Sequence, residues 1–308
     1  MIYYVCGQLG CGPKVYGSFN GGRLEEFIPS RRMVVNDLHN PELRKHFTSK
    51  LARFHNLKFP ITSKGMDPLQ IAKDCLILFD NSVGHEYHRK FAAKMGNRDI
   101  SWLFEFDWRA AYEWMIKVGQ KVKTRQVLCT NDMNTANALI REEVDTFGEL
   151  VTLVDYEFAS MNPRGKDLGN HFLFHTLDVD SPTFLSDHDH PSEDFRRQII
   201  SDYLEAAKKF NTDGNWDEDG LDSVEHVLLE AEYGLMQKSL YFIGFVLEPK
   251  LPPNPMATDA DLMFKFYVSY LNLYLFTTFL NFTELGGSSD QTIPTTKECI
   301  RHKIWSCF

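Results

Sequence analysis

The stretch that decides the fold is Cys129-Thr130-Asn131-Asp132-Met133-Asn134-Thr135-Ala136-Asn137. A brief apolar strand, Val127-Leu128-Cys129, leads into it, and the polar residues that follow predict a loop. Within the loop, Asp132 is followed five residues later by Asn137. Asp and Asn are common in turns because their side chains bond to nearby backbone, and their oxygens also ligate metal ions. The spacing alone leaves both interpretations open.

A hairpin is predicted directly after this loop. Two apolar runs, Ala138–Ile140 and Leu150–Val154, flank a polar segment, and Asp155 follows the second run. An Asp, then an Asn, then an Asp at the end of a hairpin strand is the arrangement of kinase-like sites. There the loop Asp accepts the proton of the attacking hydroxyl, and the other two residues hold magnesium against the nucleotide phosphates. We therefore expect Asp132, Asn137 and Asp155 to converge on one face of a cleft.

Three collinear stretches carry a resemblance to the choline and ethanolamine kinases. The loop is similar to their His-Asn-Asp followed by a Gln and an Asn, and Val154-Asp155-Tyr156-Glu157 is similar to their Ile-Asp-Phe-Glu. Asn162-Pro163-Arg164-Gly165-Lys166-Asp167-Leu168-Gly169-Asn170-His171-Phe172 resembles their Asn-Tyr-Arg-Gly-Phe-Asp-Ile-Gly-Asn-His-Phe. Gly12-Pro13-Lys14-Val15-Tyr16-Gly17 through Gly22–Arg31 resembles their nucleotide hinge. The resemblance covers most of residues 10 to 280.

The resemblance implies an α+β fold of the protein-kinase-like type, as in aminoglycoside phosphotransferases and choline kinases. We expect a truncated small N-lobe with the hinge at residues 1–60, a large mainly helical C-lobe at 61–285, and a polar tail at 286–308. Hydrophobic patterning by itself also gives a small mixed part before a mostly helical part. It predicts strands at Val15–Phe19 and Leu24–Ile28 around a Gly21-Gly22 turn, and helices at Leu43–Leu57, Asp194–Lys209, Leu221–Leu247 and Asp259–Phe282.

Site residues follow from the resemblance position by position. It implies that Asp132 is the catalytic base, that Asn137 and Asp155 hold Mg²⁺, and that Asn134 stands where the family has a Gln near the phosphates of ATP. Asp167 either braces the catalytic loop or caps a turn between glycines, and both remain open. The nucleotide contacts implied are Glu26, Phe27, Ile28, Pro29, Ser30, Arg31, Arg32, Asn134 and Asp155.

The resemblance also implies a substrate, the small cationic amino alcohol choline or ethanolamine. In the family an aromatic box with an acidic neighbour holds the cation, a geometry suited to cation–π attraction. Here Glu157 would supply the acid, with Phe158, Tyr241 and Phe245 as the aromatic wall. The stripe from Tyr241 to Phe245 is also what a core-facing helix would show.

Two departures from the family pattern bear on activity. Thr130 replaces the loop His, and the match begins inside the helix before Gly12-Pro13, so we expect no counterpart to the phosphate-covering strands and their cation in the chain as written. We expect the chain as written to bind ATP weakly and to turn over slowly, since positioned donors around the phosphates carry much of the catalysis. The alternative is a catalytically impaired pseudokinase that acts as a binding or scaffold protein. A gene model lacking its first exons is a third option.

The charge and composition of the chain exclude some classes of ligand and location. With 33 basic and 42 acidic residues in 308, the net charge is −9, which argues against nucleic acid as the main ligand. Six cysteines without a CxxC pair, and a start unlike a signal peptide, indicate a cytoplasmic protein. The apolar run Phe266–Phe282 is short for a bilayer and predicts a buried helix, not a membrane span. Ser186–His190 is interpreted as a solvated loop instead of a metal cluster, and a homodimer is compatible with the resemblance.

Overall fold

The computed structural model describes residues 2–58, 67, 69–74, 108–176, 190–211 and 216–247, with the backbone alone at 108, 111 and 242–247. The chain divides into two compact units. The first comprises Met1–Met66, Val122–Thr176 and Asp187–Leu235, and the second comprises Asp67–Lys121, Leu177–Ser186 and Met236–Phe308. The lobe boundaries expected near residues 60 and 285 fall outside the described residues and stay predictions, as does the helix expected at Asp259–Phe282.

Strands and helices are mixed, which confirms the α+β class. The described strands are β1 (Val15–Phe19), β2 (Gly22–Glu25), β3 (Ser30–Arg32), β4 (Gln126–Cys129), β5 (Ala138–Arg141), β6 (Val151–Leu153) and β7 (Ser160–Pro163). The helices are α1 (Ile2–Gln8), α2 (Pro41–His55), α3 (Trp108–Gly119), α4 (Gly165–Leu173), α5 (Glu193–Phe210) and α6 (Val224–Leu247). Short 3₁₀ turns lie at Val35–His39, Thr135–Asn137 and Phe174–Thr176. The helices predicted at Leu43–Leu57, Asp194–Lys209 and Leu221–Leu247 are confirmed, with ends shifted by a few residues.

All described strand pairs are antiparallel. β1 pairs with β2, β3 with β5 and β5 with β6, while β4 pairs with β7. The predicted hairpin of β5 and β6 is confirmed, with Ala138 opposite Leu153. The strand predicted at Leu24–Ile28 is wrong in its bounds, because Asn20-Gly21 forms the turn and Gly21 takes a φ of +87°. β2 therefore starts at Gly22 and ends at Glu25, opposite the first residue of β1.

The core of the first unit forms where α2 packs against α5. α2 starts cleanly because the Asn40 side chain accepts the backbone N–H of Glu42 and Pro41 occupies the first turn. The helix then buries an apolar stripe against its partner. The fully buried side chains of the two helices include Phe47, Leu51, Phe54, Ile199 and Ile200.

α4 and α6 approach each other closely enough to exclude side chains. A Cβ on Gly165 would lie 2.1 Å from the carbonyl oxygen of Glu230, and one on Gly169 would lie 2.3 Å from the amide nitrogen of Leu235. Gly234 faces them in turn, since its Cβ would lie 2.0 Å from the Gly165 oxygen. Glycine is therefore required at this crossing by contact distance and not by backbone conformation.

The loop between β5 and β6 is anchored to α2. The ammonium group of Lys50 is fully buried, and it pairs with Asp145 and with Glu149, the latter at 2.7 Å. The same nitrogen donates to the carbonyl oxygen of Gly10 at 2.6 Å, so one cation joins the hairpin loop, α2 and the end of α1. Because desolvation offsets much of the attraction within a buried ion pair, we take the joining of these three segments as its main consequence.

In the second unit most of the described residues are helical: 69–74, α3 and the last part of α6. Across the described parts of both units, no helix combines the length and apolar character that crossing a bilayer would require. The apolar run Phe266–Phe282 lies outside these parts.

Gly169→Ala is expected to destabilise the first unit by about 2–3 kcal/mol, because the added methyl meets backbone atoms that cannot rotate away. Chemical denaturation of the variant and the parent measures the difference. Gly17→Ala is the matched control: no atom lies within 4 Å of its added Cβ, so a change within about 0.5 kcal/mol is expected. Equal effects at the two positions would contradict the close crossing.

We expect the folded chain to lose stability in acid because of His171 on α4. The centroid of its ring lies 4.7 Å from that of Phe47 and 4.9 Å from that of His175. Burial lowers the pKa of His171 to about 3, whereas the unfolded chain takes up this proton near pH ~6.5. The unfolded state binds more protons below that pH, so the free energy of unfolding falls as the pH drops, by about 1.4 kcal/mol per unit. Denaturation at pH 6.5 to 5 should show a shallower fall for His171→Gln, while His39→Gln, at an exposed ring, should keep the parent slope. Parallel slopes for His171→Gln and the parent would refute this assignment.

Candidate active site

The Asp132 loop (residues 130–137) connects β4 to β5 and is held by its own amides. Asn134 caps the 3₁₀ turn, and its side-chain oxygen accepts the backbone N–H of Asn137 at 3.1 Å. Its Nδ2 donates to the carbonyl oxygen of Asp132 at 2.9 Å. Asn134 is itself buried. In this structure, therefore, its side chain shapes the loop from inside.

Asp132 and Asn137 are in direct contact. Nδ2 of Asn137 donates to the Asp132 carbonyl oxygen at 3.0 Å and to its carboxylate Oδ2 at 3.1 Å. Both acceptors lack hydrogens, so they fix which end of the Asn137 amide faces Asp132. The amide oxygen Oδ1 of Asn137 consequently points away from Asp132.

Asp155 lies at the same end of the hairpin as Asn137. The backbone N–H of Val154 donates to the Asn137 carbonyl at 2.9 Å, so Asp155 is one residue beyond that bond. Its side chain is exposed, and its φ of 65° is in the left-handed region. Non-glycine residues seldom adopt this region, and they concentrate at functional sites where the surrounding structure holds them. The backbone thus turns sharply where the carboxylate is presented.

The Asp132 loop rests on a buried carboxylate. Oδ2 of Asp167 accepts the backbone N–H of Thr130 at 2.7 Å, and Oδ1 accepts that of Asn131 at 2.8 Å. Asp167 is 0% exposed and lies inside α4. The structure therefore decides the question that the sequence left open: Asp167 braces the loop and does not cap a turn.

Two residues from distant helices complete this brace. Nε2 of His55, on α2, lies 3.1 Å from Asp167 Oδ2, and its Nδ1 lies 2.9 Å from the hydroxyl of Tyr203, on α5. A carboxylate oxygen only accepts, so Nε2 carries the proton and, in the neutral ring, the tyrosine hydroxyl donates to Nδ1. The sequence analysis missed both residues. Nothing in the local pattern around either one signals a bond across more than 100 positions.

The segment predicted to be the nucleotide hinge leads into β3, next to the Asp132 loop. Ser30, Arg31 and Arg32 pair with Arg141, Ile140 and Leu139 of β5. Upstream, the Glu26 backbone N–H donates to the Lys14 carbonyl at 2.8 Å, and its carboxylate accepts the Lys14 N–H at 3.1 Å. The remaining predicted nucleotide contacts are Phe27, which is 88% exposed, Ile28, which is buried, and Pro29, which is exposed.

Arg31 is paired with a carboxylate six positions further along the chain. Its guanidinium forms two bonds to the Asp37 carboxylate, at 2.6 and 2.7 Å. These bonds lower the pKa of Asp37. A fork-shaped pair of this geometry holds β3 against the 3₁₀ turn at Val35–His39.

The predicted substrate residues fall into two groups. Glu157 and Phe158 follow Asp155 directly and are exposed, Phe158 by 48%. Tyr156 between them and Asp155 is buried, and its hydroxyl, with one hydrogen to donate, lies 2.7 and 2.9 Å from the carbonyl oxygens of Cys11 and Leu153. Tyr241 is on α6 in the second unit, where the Lys238 ammonium lies 5.3 Å from its ring centroid. The side chain of Phe245 lies outside the described residues.

The histidine-rich stretch Ser186–His190 is described only at His190. Its Nδ1 lies 3.0 Å from a guanidinium nitrogen of Arg196, and burial lowers its pKa to about 3. In the part of the chain with described side chains, the groups of three or more potential metal ligands do not include it. The interpretation of this stretch as a solvated loop stays a prediction for its other residues.

Asp167→Asn is expected to cost at least about 2 kcal/mol in unfolding free energy. The amide has one acceptor where the carboxylate uses both oxygens, so a buried N–H of the loop loses its partner. Thermal or chemical denaturation measures this. Asp194→Asn, an exposed carboxylate in the first turn of α5, is the matched control and should cost less than about 1 kcal/mol. A loss no greater than the control's would rule out the brace.

Comparison with known proteins identifies the family. The sequence model of the family described as choline/ethanolamine kinase matches residues 1–247. A choline/ethanolamine kinase of Homo sapiens is 26% identical over 256 residues, covering 82% of this chain and 62% of the human protein. A probable choline kinase of Arabidopsis thaliana is 30% identical over 202 residues, covering 64% of this chain and 53% of that protein. The chain thus spans between half and two-thirds of the length of these relatives.

Solved structures share the fold. An ethanolamine kinase of Plasmodium vivax matches with a TM-score of 0.58 at 18% identity, covering 89% of this chain and 72% of that one. A choline kinase of Cryptosporidium parvum matches with a TM-score of 0.53 at 15% identity, covering 92% and 78%. These likenesses establish the protein-kinase-like fold expected from the sequence. Since the family match extends over residues 1–247 of 308, the chain belongs to the choline/ethanolamine kinase family.

Proposed function

We propose that this chain is an ATP- and Mg²⁺-dependent phosphotransferase that phosphorylates the hydroxyl of choline or ethanolamine. The observation that carries the proposal is the direct contact of Asp132 with Asn137, next to the hairpin end that presents Asp155. A catalytic base and two oxygen ligands for magnesium are the groups that phosphoryl transfer requires. Family membership selects the amino alcohols as the substrate class.

Asp132 is the proposed catalytic base. Its carboxylate is half-buried and is oriented by the Asn137 amide at 3.1 Å. A carboxylate held this way can accept the proton of the attacking hydroxyl while that hydroxyl is aligned with the phosphoryl group. The bracing of its loop on Asp167 limits the freedom of the base, which is what positioned proton transfer needs.

The donor set fits magnesium. Oδ1 of Asn137 is turned away from Asp132 because Nδ2 faces it, and the Asp155 carboxylate is exposed. Amide and carboxylate oxygens are the ligands that this hard cation prefers. We propose that Asn137 and Asp155 hold Mg²⁺, which when bound would neutralise phosphate charge on ATP. Asn134, by contrast, would act through the shape of the loop.

The substrates are proposed to bind on either side of these groups. The nucleotide would be contacted by the segment that leads into and includes β3, because β3 is paired with the strand that begins after Asn137. The residues of this segment are Glu26, Phe27, Ile28, Pro29, Ser30, Arg31 and Arg32. Glu157 and Phe158 would receive the cationic head of the amino alcohol, since an exposed acid beside an exposed ring attracts an ammonium group. Tyr241 and Phe245 are proposed as further amino-alcohol contacts on the basis of family membership alone.

We further propose that the product enters phospholipid biosynthesis and that the protein works in the cytoplasm, where ATP and magnesium are at hand. A homodimer remains compatible with these proposals. The lobe division into residues 1–60, 61–285 and 286–308 is proposed on the same family basis.

Asp132→Asn tests the base. The amide keeps the size and the acceptor toward Asn137 but cannot take up the proton, so turnover should fall by about 10²–10⁴-fold. Phosphocholine and phosphoethanolamine formation by the 308-residue chain is the measurement, with Mg-ATP binding by calorimetry and unfolding free energy expected to stay unchanged. Asp219→Asn, at an exposed loop, should keep parental turnover.

Equal turnover of Asp132→Asn and the parent would contradict the assignment of the base. A parent chain that binds Mg-ATP but phosphorylates neither amino alcohol would contradict the proposed reaction and favour the scaffold alternative.

A further inference from the structure

Asn131 is a loop residue to which the sequence analysis gave no role. It precedes Asp132 directly and has a φ of 62°. Its backbone N–H is already used, since it donates to Asp167 Oδ1 at 2.8 Å. The side chain makes hydrogen bonds of its own, separate from this backbone bond.

The shorter bonds of the Asn131 side chain go to residues 158–162, while its Nδ2 also lies 3.5 Å from the carbonyl oxygen of Cys129. Nδ2 donates to the carbonyl oxygen of Phe158 at 2.7 Å and to the hydroxyl oxygen of Ser160 at 2.8 Å. Oδ1 accepts Nδ2 of Asn162 at 2.7 Å. Both donor hydrogens and the acceptor of the amide are thus engaged. This segment begins directly after Glu157.

A cation fixes the direction of these amides. The ammonium of Lys166 donates to Oδ1 of Asn162 at 2.8 Å, and an ammonium cannot accept. Oδ1 of Asn162 must therefore face Lys166, which leaves its Nδ2 to face Asn131. Asn131 in turn must present its oxygen to Asn162 and its nitrogen to Phe158. Each assignment agrees with the next, so the orientation is set by the network as a whole.

We propose that Asn131 is a positioning residue that joins the Asp132 loop to the segment bearing the amino-alcohol contacts. The proposal rests on the function proposed above. The bond between Asn131 and Phe158 joins a residue directly before Asp132 to a residue directly after Glu157. The distance between the proposed base and the proposed cation contacts at Glu157 and Phe158 then depends on this amide.

The residue type suits this role. Asn tolerates a left-handed φ better than most side chains, and its amide supplies the two donors and one acceptor that the segment uses. Asp would tolerate the same backbone and keep the acceptor toward Asn162, but it has no hydrogens for Phe158 and Ser160. Gly would keep the backbone and lose all three bonds. Both substitutions therefore test the loss of the side-chain bonds without forcing a residue that disfavours this φ into position 131.

Asn131→Asp is the first test, in the 308-residue chain with choline, ethanolamine and Mg-ATP as probes. The KM for the amino alcohol should rise by about 10-fold and kcat should fall by about 10- to 100-fold, since small displacements of a reacting group have effects of this size. The KM for Mg-ATP should change by less than about 2-fold, because the hinge makes none of these bonds. Asn131→Gly should shift the same parameters in the same direction.

Hydrogen exchange gives a second measurement that does not need activity. The amides of residues 157–162 should exchange at least about 10-fold faster in Asn131→Asp than in the parent, with α5 unchanged, because local opening reports lost bonds. Asn40→Asp is the control: as the cap of α2 it only accepts, so Asp replaces it without loss. It should leave kinetics and exchange at parental values.

The outcomes are distinguishable. Parental amino-alcohol kinetics or parental exchange at 157–162 in Asn131→Asp would overturn the proposal, as would equal losses for both substrates together with faster exchange in α5. If the parent shows no phosphorylation, the proposed function fails, and hydrogen exchange alone tests whether Asn131 joins the Asp132 loop to residues 158–162. Faster exchange at 157–162 in Asn131→Asp supports this role, and unchanged exchange overturns it.

Discussion

The buried carboxylate of Asp167 is the contact on which the rest of the first unit depends. Burying a charge is costly unless donors replace water around it, and here the donors are two backbone amides of the Asp132 loop and the His55 ring. Hydrogen bonds to an ionised acceptor are about twice as strong as neutral ones. The position of the loop is therefore determined by its hydrogen bonds to this buried carboxylate.

The position of Asp167 is in turn determined by helix packing. Gly165 and Gly169 let α4 press against α6 at backbone contact, while His55 and Tyr203 connect the carboxylate to α2 and α5. Interiors packed at this density respond to small volume changes as a body. A single methyl at the glycine crossing would thus be felt at the loop, because the helix that would have to move carries the brace.

Local sequence signals predicted the parts of this arrangement that depend on neighbours in the chain. The hairpin of β5 and β6 and the helix α2 follow from periodicity and capping residues, and the placement of Asp132 beside Asn137 follows from one short loop. The β2 boundary was misjudged because both Asn20-Gly21 and Gly21-Gly22 could make the turn. His55 and Asn131 act through bonds to residues 112 and 27 positions away, and such bonds leave no periodic pattern. Only the packed structure reveals them.

Thr130 stands where the resemblance implies a loop His, and its side chain contributes little to holding the loop. The hydroxyl of Thr130 accepts the backbone N–H of Asp132 at 3.3 Å, a long contact that contributes little. The backbone N–H of Thr130, by contrast, reaches Asp167 at 2.7 Å, and any residue except proline would make that bond. Because the loop is held mainly through amides, with Asn131 and Asn134 adding side-chain bonds, the side chain at position 130 is not what places Asp132.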